Sequence, residues 1–130
     1  MQLLQKDSIL QINNKYRLLK PVSTTVPNFS GDNQTQTAGK MADKPIRIQV
    51  LDKNNIPVKN VAVLLEVVSK PHKDNNFSIS DTIIYTDSLG IAQTQIIIGS
   101  EEGEYEFSAR LRDFPETNFL IYTANARKTN

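Results

Sequence analysis

The chain of 130 residues has no cysteine and no tryptophan, and only one histidine. Without cysteine there is no thiol nucleophile, no zinc site of the cysteine type and no disulfide staple. The compartment stays open, because a cysteine-free chain suits the cytosol and a bacterial envelope alike. His72 sits in Lys70-Pro71-His72-Lys73-Asp74-Asn75-Asn76, a polar, proline-broken stretch that reads as a solvated loop. A zinc site needs several such ligands and a triad base needs a cleft, so His72 is expected to do neither. A basic excess is missing too: 15 Lys and Arg against 14 Asp and Glu leave a net charge of +1. That balance argues against a nucleic-acid partner or a polybasic membrane surface.

Long apolar runs are also absent, so no segment reads as a membrane-spanning helix. Leu3, Leu4, Ile9, Leu10 and Ile12 are interrupted by Lys6, Asp7, Asn13, Asn14 and Lys15, which does not make the continuous apolar core of a secretory signal. The chain therefore reads either as cytosolic or as a mature or excised piece of a longer polypeptide. The short polar tail Arg127-Lys128-Thr129-Asn130 favours the piece.

What the sequence does have is a rhythm of two. Ile46, Ile48 and Val50 alternate with Arg47 and Gln49. Val61, Val63, Leu65 and Val67 form a second row, and Ala92, Thr94, Ile96 and Ile98 a third. Tyr105, Phe107, Ala109 and Leu111 alternate with Glu104, Glu106, Ser108 and Arg110, and Leu120, Tyr122 and Ala124 close the series. Side chains alternate between faces along a strand, so each row predicts the buried side of a half-buried antiparallel strand. Weaker strands are expected over 17–23, 34–38, 77–80 and 82–86; the first dozen residues fit a short helix or a strand equally well. Asp52-Lys53-Asn54-Asn55, Asp87-Ser88-Leu89-Gly90, Gly99-Ser100-Glu101-Glu102-Gly103 and the stretch 113–118 carry turn chemistry. Many short strands spaced this way indicate a two-sheet sandwich. At this length about two-thirds of the unfolded chain's surface can be buried, enough for a core without metal or disulfide.

The ordered series of motifs resembles a known family. Ser30-Gly31-Asp32-Asn33-Gln34 followed by Gly39 is similar to the opening of the bacterial immunoglobulin-like domains of the invasin/intimin group. Pro45-Ile46-Arg47-Ile48-Gln49-Val50-Leu51-Asp52 with Pro57-Val58, then Val61-Ala62-Val63, Thr86-Asp87-Ser88-Leu89-Gly90-Ile91-Ala92 and Gly99-Ser100-Glu101-Glu102-Gly103-Glu104-Tyr105 follow in the family's order. Asn55 and Asn60 stand where the family has glycine, and Asn is the next best residue at positive φ. A prealbumin-like regulatory domain shares several elements but lacks the Gly31-Asp32-Asn33-Gln34 opening, and ranks second. The resemblance implies an all-β, immunoglobulin-like sandwich of two antiparallel sheets with seven to nine strands over residues 18–126. Residues 1–17 are then an extension or linker and 127–130 a tail. It further implies a cell-envelope location, extracellular or periplasmic, in a larger membrane-linked protein.

Each polar cluster has a plain structural reading beside the chemical one. Asp52, Asn54, Asp74 and Asp87 could donate oxygens to calcium where loops meet, but turn formation explains each alone. Glu101, Glu102, Glu104 and Glu106 could pair as hydrolytic carboxylates. Their place in a turn and on an outward strand face reads instead as a solvated surface, with Arg110 and Arg112 as neighbours. The phenol of Tyr105 is expected to bond a loop backbone, as in a tyrosine corner. No residue is expected to be catalytic and no cofactor or metal is expected. Leu64, Ile91, Ile97 and Ile121 point away from the core in this register, with Val68 beside them, and form a candidate interaction patch unless the first twenty residues cover them. The function expected is a non-catalytic spacer or adhesion module that contacts neighbouring domains of its own polypeptide and a protein or carbohydrate surface, monomeric in isolation. The alternative is an accessory domain for carbohydrate or peptide attached to a transporter or enzyme.

Overall fold

A computed structural model describes residues 15–71 and 77–127. His72, Asp74 and cover by the first fourteen residues lie outside them. Ten strands follow in order: β1 (Tyr16–Leu19), β2 (Gln34–Thr37), β3 (Ile46–Asp52), β4 (Ala62–Ser69), β5 (Ser78–Ile79), β6 (Ile83–Tyr85), β7 (Ile91–Thr94), β8 (Ile96–Ile97), β9 (Gly103–Leu111) and β10 (Leu120–Arg127). One sheet has the order β1-β3-β7, the other β2-β10-β9-β4-β6, and β5-β8 forms a short ribbon.

The inward rows meet in one core. Ile46, Ile48 and Val50 of one sheet face Val63, Leu65, Phe107, Ala109, Leu111, Tyr122 and Ala124 of the other, all buried. Tyr122 stacks on Phe107 with ring centroids 5.6 Å apart, and Phe77 stacks on Tyr105 at 4.8 Å. Burying an aromatic or branched aliphatic side chain stabilises by about 1.5–3 kcal/mol, so this shared interior outweighs the polar contacts described below. The all-β sandwich expected from the rhythm is what the chain forms.

The fold differs from expectation in three places. The described residues hold ten strands against about seven to nine expected, because three lengths of chain change sheets part-way, at β1/β2, β5/β6 and β7/β8. In the edge that ends in β6, Ser80 N still donates to Gln95 O beside β8 (2.9 Å), while Thr82 O already accepts from Leu65 N of β4 (2.7 Å). Second, β2 runs parallel to β10, not antiparallel. Third, Val67 is 45% exposed although it still pairs with the buried Phe107, and the β4–β9 register slips directly after it, between Val67 and Ser69. A bulge adds one residue and moves the following side chains off the two-residue rhythm.

The registers define two ends. The upper end holds the start of β1, the finish of β9 and the 111–119 connection, where Tyr16 meets the Phe114 ring edge-on at 4.9 Å. At the lower end Ala38 N donates to Arg127 O (2.8 Å), and Gly39 N donates to Gly99 O just before β9 (3.0 Å). β1 therefore starts at one end and β10 finishes at the other. β9 alone spans nine residues, which at ~3.4 Å each is about 30 Å.

Candidate functional site

The Ser30–Gln34 motif joins the sheets. Ser30 O accepts from Arg47 N of β3 (2.9 Å), and Asn33 N donates to Thr123 O of β10 (2.8 Å). Gly31, at φ 79°, lies so close to β3 that a Cβ there would sit 2.2 Å from Pro45 O. Asp32 uses both oxygens: Oδ1 accepts from Thr123 N (2.9 Å) and Oδ2 pairs with Lys20 Nζ (2.7 Å). Gln34, buried, bonds Lys44 through its side chain as a strand would, with Oε1 accepting from Lys44 N (3.1 Å) and Nε2 donating to Lys44 O (3.0 Å). Lys20 lies over the Tyr122 ring at 4.9 Å, and the Tyr122 hydroxyl donates to Arg47 O at 2.6 Å. Burial, and after it the negative charge of Asp32, pushes the Tyr122 phenol far above its ordinary value, so it stays a donor. The motif that carries the family resemblance is thus a brace between sheets.

Asp52 and Asp87 hold their own turns. Asp52 Oδ1 accepts from Asn54 N (2.8 Å) and Ile56 N (3.0 Å). Asp87 Oδ1 accepts from Leu89 N (2.9 Å) and Ile91 N (3.0 Å). Among the described residues no group of three or more His, Asp or Glu side chains converges as metal ligands would. The Tyr105 hydroxyl donates to Glu101 O at 2.6 Å, four residues upstream, as the tyrosine-corner expectation required. Glu104 and Glu106 lie on the solvent side of the five-stranded sheet, opposite Asn125 and Thr123 of β10. Arg110 pairs with Glu66 (3.1 Å) and Arg112 with Asp113 (3.0 Å). Both pairs are solvated and contribute little. The hydrogen bonds of Arg112 hold the Asp113 carboxyl below the usual carboxylate range.

The four patch residues occupy three surfaces, each half-buried. Leu64 and Ile121 share the outer face of the five-stranded sheet: Leu64 lies between Ile83 and Arg110, and Ile121 lies beside Ser108. Ile91 is beside Gln49 on the outer face of the other sheet, and Ile97 is on the ribbon opposite Ser78. The alternation gives the side of a strand but not the sheet to which that strand belongs.

Two features had little signal in the sequence. A cleft of about 270 Å³ opens at the upper end, lined by Tyr16, Lys59, Tyr85, Arg112 and Phe114 among others. It brings together aromatic and cationic residues from four separate stretches of chain. The second is Asn118, whose side chain caps the free edge of β1: Oδ1 accepts from Leu18 N and Nδ2 donates to Leu18 O, both at 3.0 Å. Phe119, next to it, is 62% exposed beside the Leu64 and Ile121 face.

No protein-family model matches the chain, and no curated protein sequence does. Solved structures do. The D0-D1 domains of intimin match at a TM-score of 0.55 and 18% identity, over 75% of this chain and 45% of that one. A 282-residue C-terminal fragment of intimin, crystallised with the intimin-binding domain of its translocated receptor, gives 0.55 and 21% over 75% and 31%. Domains 4–9 of the surface layer protein SbsC give 0.53 and 12% over 78% and 14%. This chain thus spans less than half the length of each of these structures. With the two-sheet core, the tyrosine corner and the Ser30–Gln34 brace in place, the chain has the immunoglobulin-like sandwich fold of the intimin modules.

Proposed function

We propose that the chain is a non-catalytic immunoglobulin-like module of a larger bacterial cell-envelope protein, a spacer that also offers a surface for protein contact. The observation that carries this reading is the placement of the first and last described strands. β1 starts at one end of a sandwich about 30 Å long and β10 finishes at the other, so neighbours attached there are held apart along one line. The brace at Ser30–Gln34 and the stacked core keep that line stiff. Leu64, Ile121 and the exposed Ile83 and Phe119 offer an apolar face for a neighbouring domain or a protein partner. The structural neighbours support the setting: one is a surface layer protein, and another was crystallised with a receptor domain. Fold alone does not assign a job, so the test is physical. Two copies of this chain joined in tandem should scatter X-rays at small angles as an extended rod. A compact or freely hinged particle would refute the spacer reading. Antibody labelling of intact source cells should mark the envelope; signal confined to the lysed cytosol would remove the location.

The cleft supports a second reading, an accessory site for carbohydrate or peptide. Tyr85 is 57% exposed beside Arg112 there, and an exposed ring next to a donor is what a sugar or peptide backbone can use. A glycan array and a peptide array probed with the isolated chain separate the two readings: specific hits lost in Tyr85→Ala favour the site, and blank arrays leave the spacer.

A further inference from the structure

We propose that this sandwich is built to resist tension between its two ends, and that the parallel pair β2–β10, locked by Asp32, is its mechanical clamp. The inference rests on the spacer reading and adds a second task to it.

The first edge strand is split. β1 pairs with β3 in one sheet, residues 20–33 cross over, and β2 pairs with β10 in the other. β1 runs from the upper end downward, since Tyr16 faces Asp52 and Leu19 faces Gln49. β2 and β10 also run downward, ending together at Thr37 and Arg127. Tension drawn through the two termini pulls β1, and through it β2, upward, while it pulls β10 downward. The β2–β10 hydrogen bonds lie across the direction of pull and must fail together. In a pair pulled open from one end they fail one after another, each at a small force.

Asp32 makes this clamp act early. Without it, detachment of β1 would pay out the slack of residues 20–28, up to the bonds of Phe29 and Ser30 to Arg47, before β2 felt any pull. Its carboxylate joins Lys20, the residue directly after β1, to the backbone N–H of Thr123 in β10, at 2.7 and 2.9 Å. Tension that reaches the end of β1 therefore passes into β10 through one side chain. A charge-assisted hydrogen bond is the stronger kind, and here one carboxylate makes two of them. The Tyr122 hydroxyl then ties β10 to Arg47 O of β3 at 2.6 Å, so the tension spreads into both sheets. The Asn118 amide closes the other edge of β1.

The absence of native cysteine allows the pull to be aimed. The full chain carrying Lys15→Cys and Arg127→Cys is stretched end to end by single-molecule force spectroscopy. The same chain carrying Asn54→Cys and Glu116→Cys is stretched from two exposed turns at the upper end, one on each sheet. Both pairs leave the buried core unaltered, and Arg127, the last residue of β10 paired with β2, keeps its backbone bond from Ala38 N. End-to-end pulling should give a distinct high-force peak, and pulling from the upper turns should lose it. Equal peaks in the two directions, or end-to-end unravelling without a peak, overturns the clamp. Asp32→Ala, checked for native melting, should lower the end-to-end peak and add an early extension step as residues 20–28 pay out. Asp32→Asn, which keeps an acceptor for Thr123 N but no charge for Lys20, should fall between. An unchanged peak in Asp32→Ala overturns the role given to that carboxylate. A failed clamp leaves the rod-like tandem of the spacer reading untouched, and a compact tandem with an intact peak removes the spacer alone.

Discussion

The Asp52–Ile56 and Asp87–Ile91 turns are built on one plan with one difference. In each, the leading aspartate accepts from the N–H two residues on and again four residues on through Oδ1. In each, its backbone N–H and C=O close the turn on the fifth and fourth residues, at 2.9 and 3.0 Å for Asp52 and 2.9 Å twice for Asp87. In each, the fourth residue is left-handed: Asn55 at φ 65° and Gly90 at φ 74°. The difference is what lies behind that residue. Asn55 is exposed, and its side chain accepts from the Arg17 guanidinium. A Cβ on Gly90 would sit 2.5 Å from Val50 O and 3.1 Å from Pro57. Gly90 is therefore required twice, for its dihedral and for close packing on β3, while Asn55 meets only the first demand.

The strongest way to test that contrast is Gly90→Ala, which should cost about 3 kcal/mol through left-handed strain and overpacking together, read from urea denaturation. A loss no larger than that of Asn55→Ala would mean β3 yields and the close approach is not a constraint. Next come Asp52→Ala and Asp87→Ala. Each strips an acceptor from two exposed N–H groups, so each should cost about 1 kcal/mol, and the two values should agree within a few tenths. Clearly unequal losses would show that the shared plan hides different surroundings. Asn55→Ala should be no larger, about 1 kcal/mol or less, because it adds left-handed strain to the loss of one solvated contact with Arg17. The least effect is expected for Asn55→Gly, within about 0.5 kcal/mol of the parent, since glycine takes this φ freely and gives up only the solvated Arg17 contact. A thermal melt of both Asn55 variants in one series checks the order.

Much of this was legible in the sequence because burial on one face writes itself as a period of two. The rows at Ile46–Val50, Ala92–Ile98 and Tyr105–Leu111 are inward as read. The rule ran out at Val67, which is exposed on its row, and directly after it one inserted residue shifts the β4–β9 register, a backbone event with no mark in residue type. It placed a strand at 34–38 but not its partner: the Gln-Thr-Gln-Thr of β2 carries no apolar alternation, and β2 pairs in parallel with a strand about ninety residues away. The candidate site was harder to read. Asp32 and Gln34 were visible as a motif, but their bonds to Thr123 and Lys44 depend on where distant strands come to rest. The upper cleft draws on four stretches of chain, none of which looks like a site alone. Asn118 lay in a segment read as a turn, and nothing local distinguishes an amide that caps its own loop from one that completes a strand a hundred residues earlier.

That amide ties the covalent ageing of the protein to its shape. A carboxamide can meet Leu18 N–H and C=O at once only because it carries a donor and an acceptor. Slow hydrolysis of Asn118 to aspartate would leave an acceptor facing the Leu18 carbonyl, so an old molecule should loosen its first strand while its interior stays intact. Faster amide hydrogen exchange at Leu18 in a stored sample, with Tyr105 and Phe107 still protected, would be the record of that age.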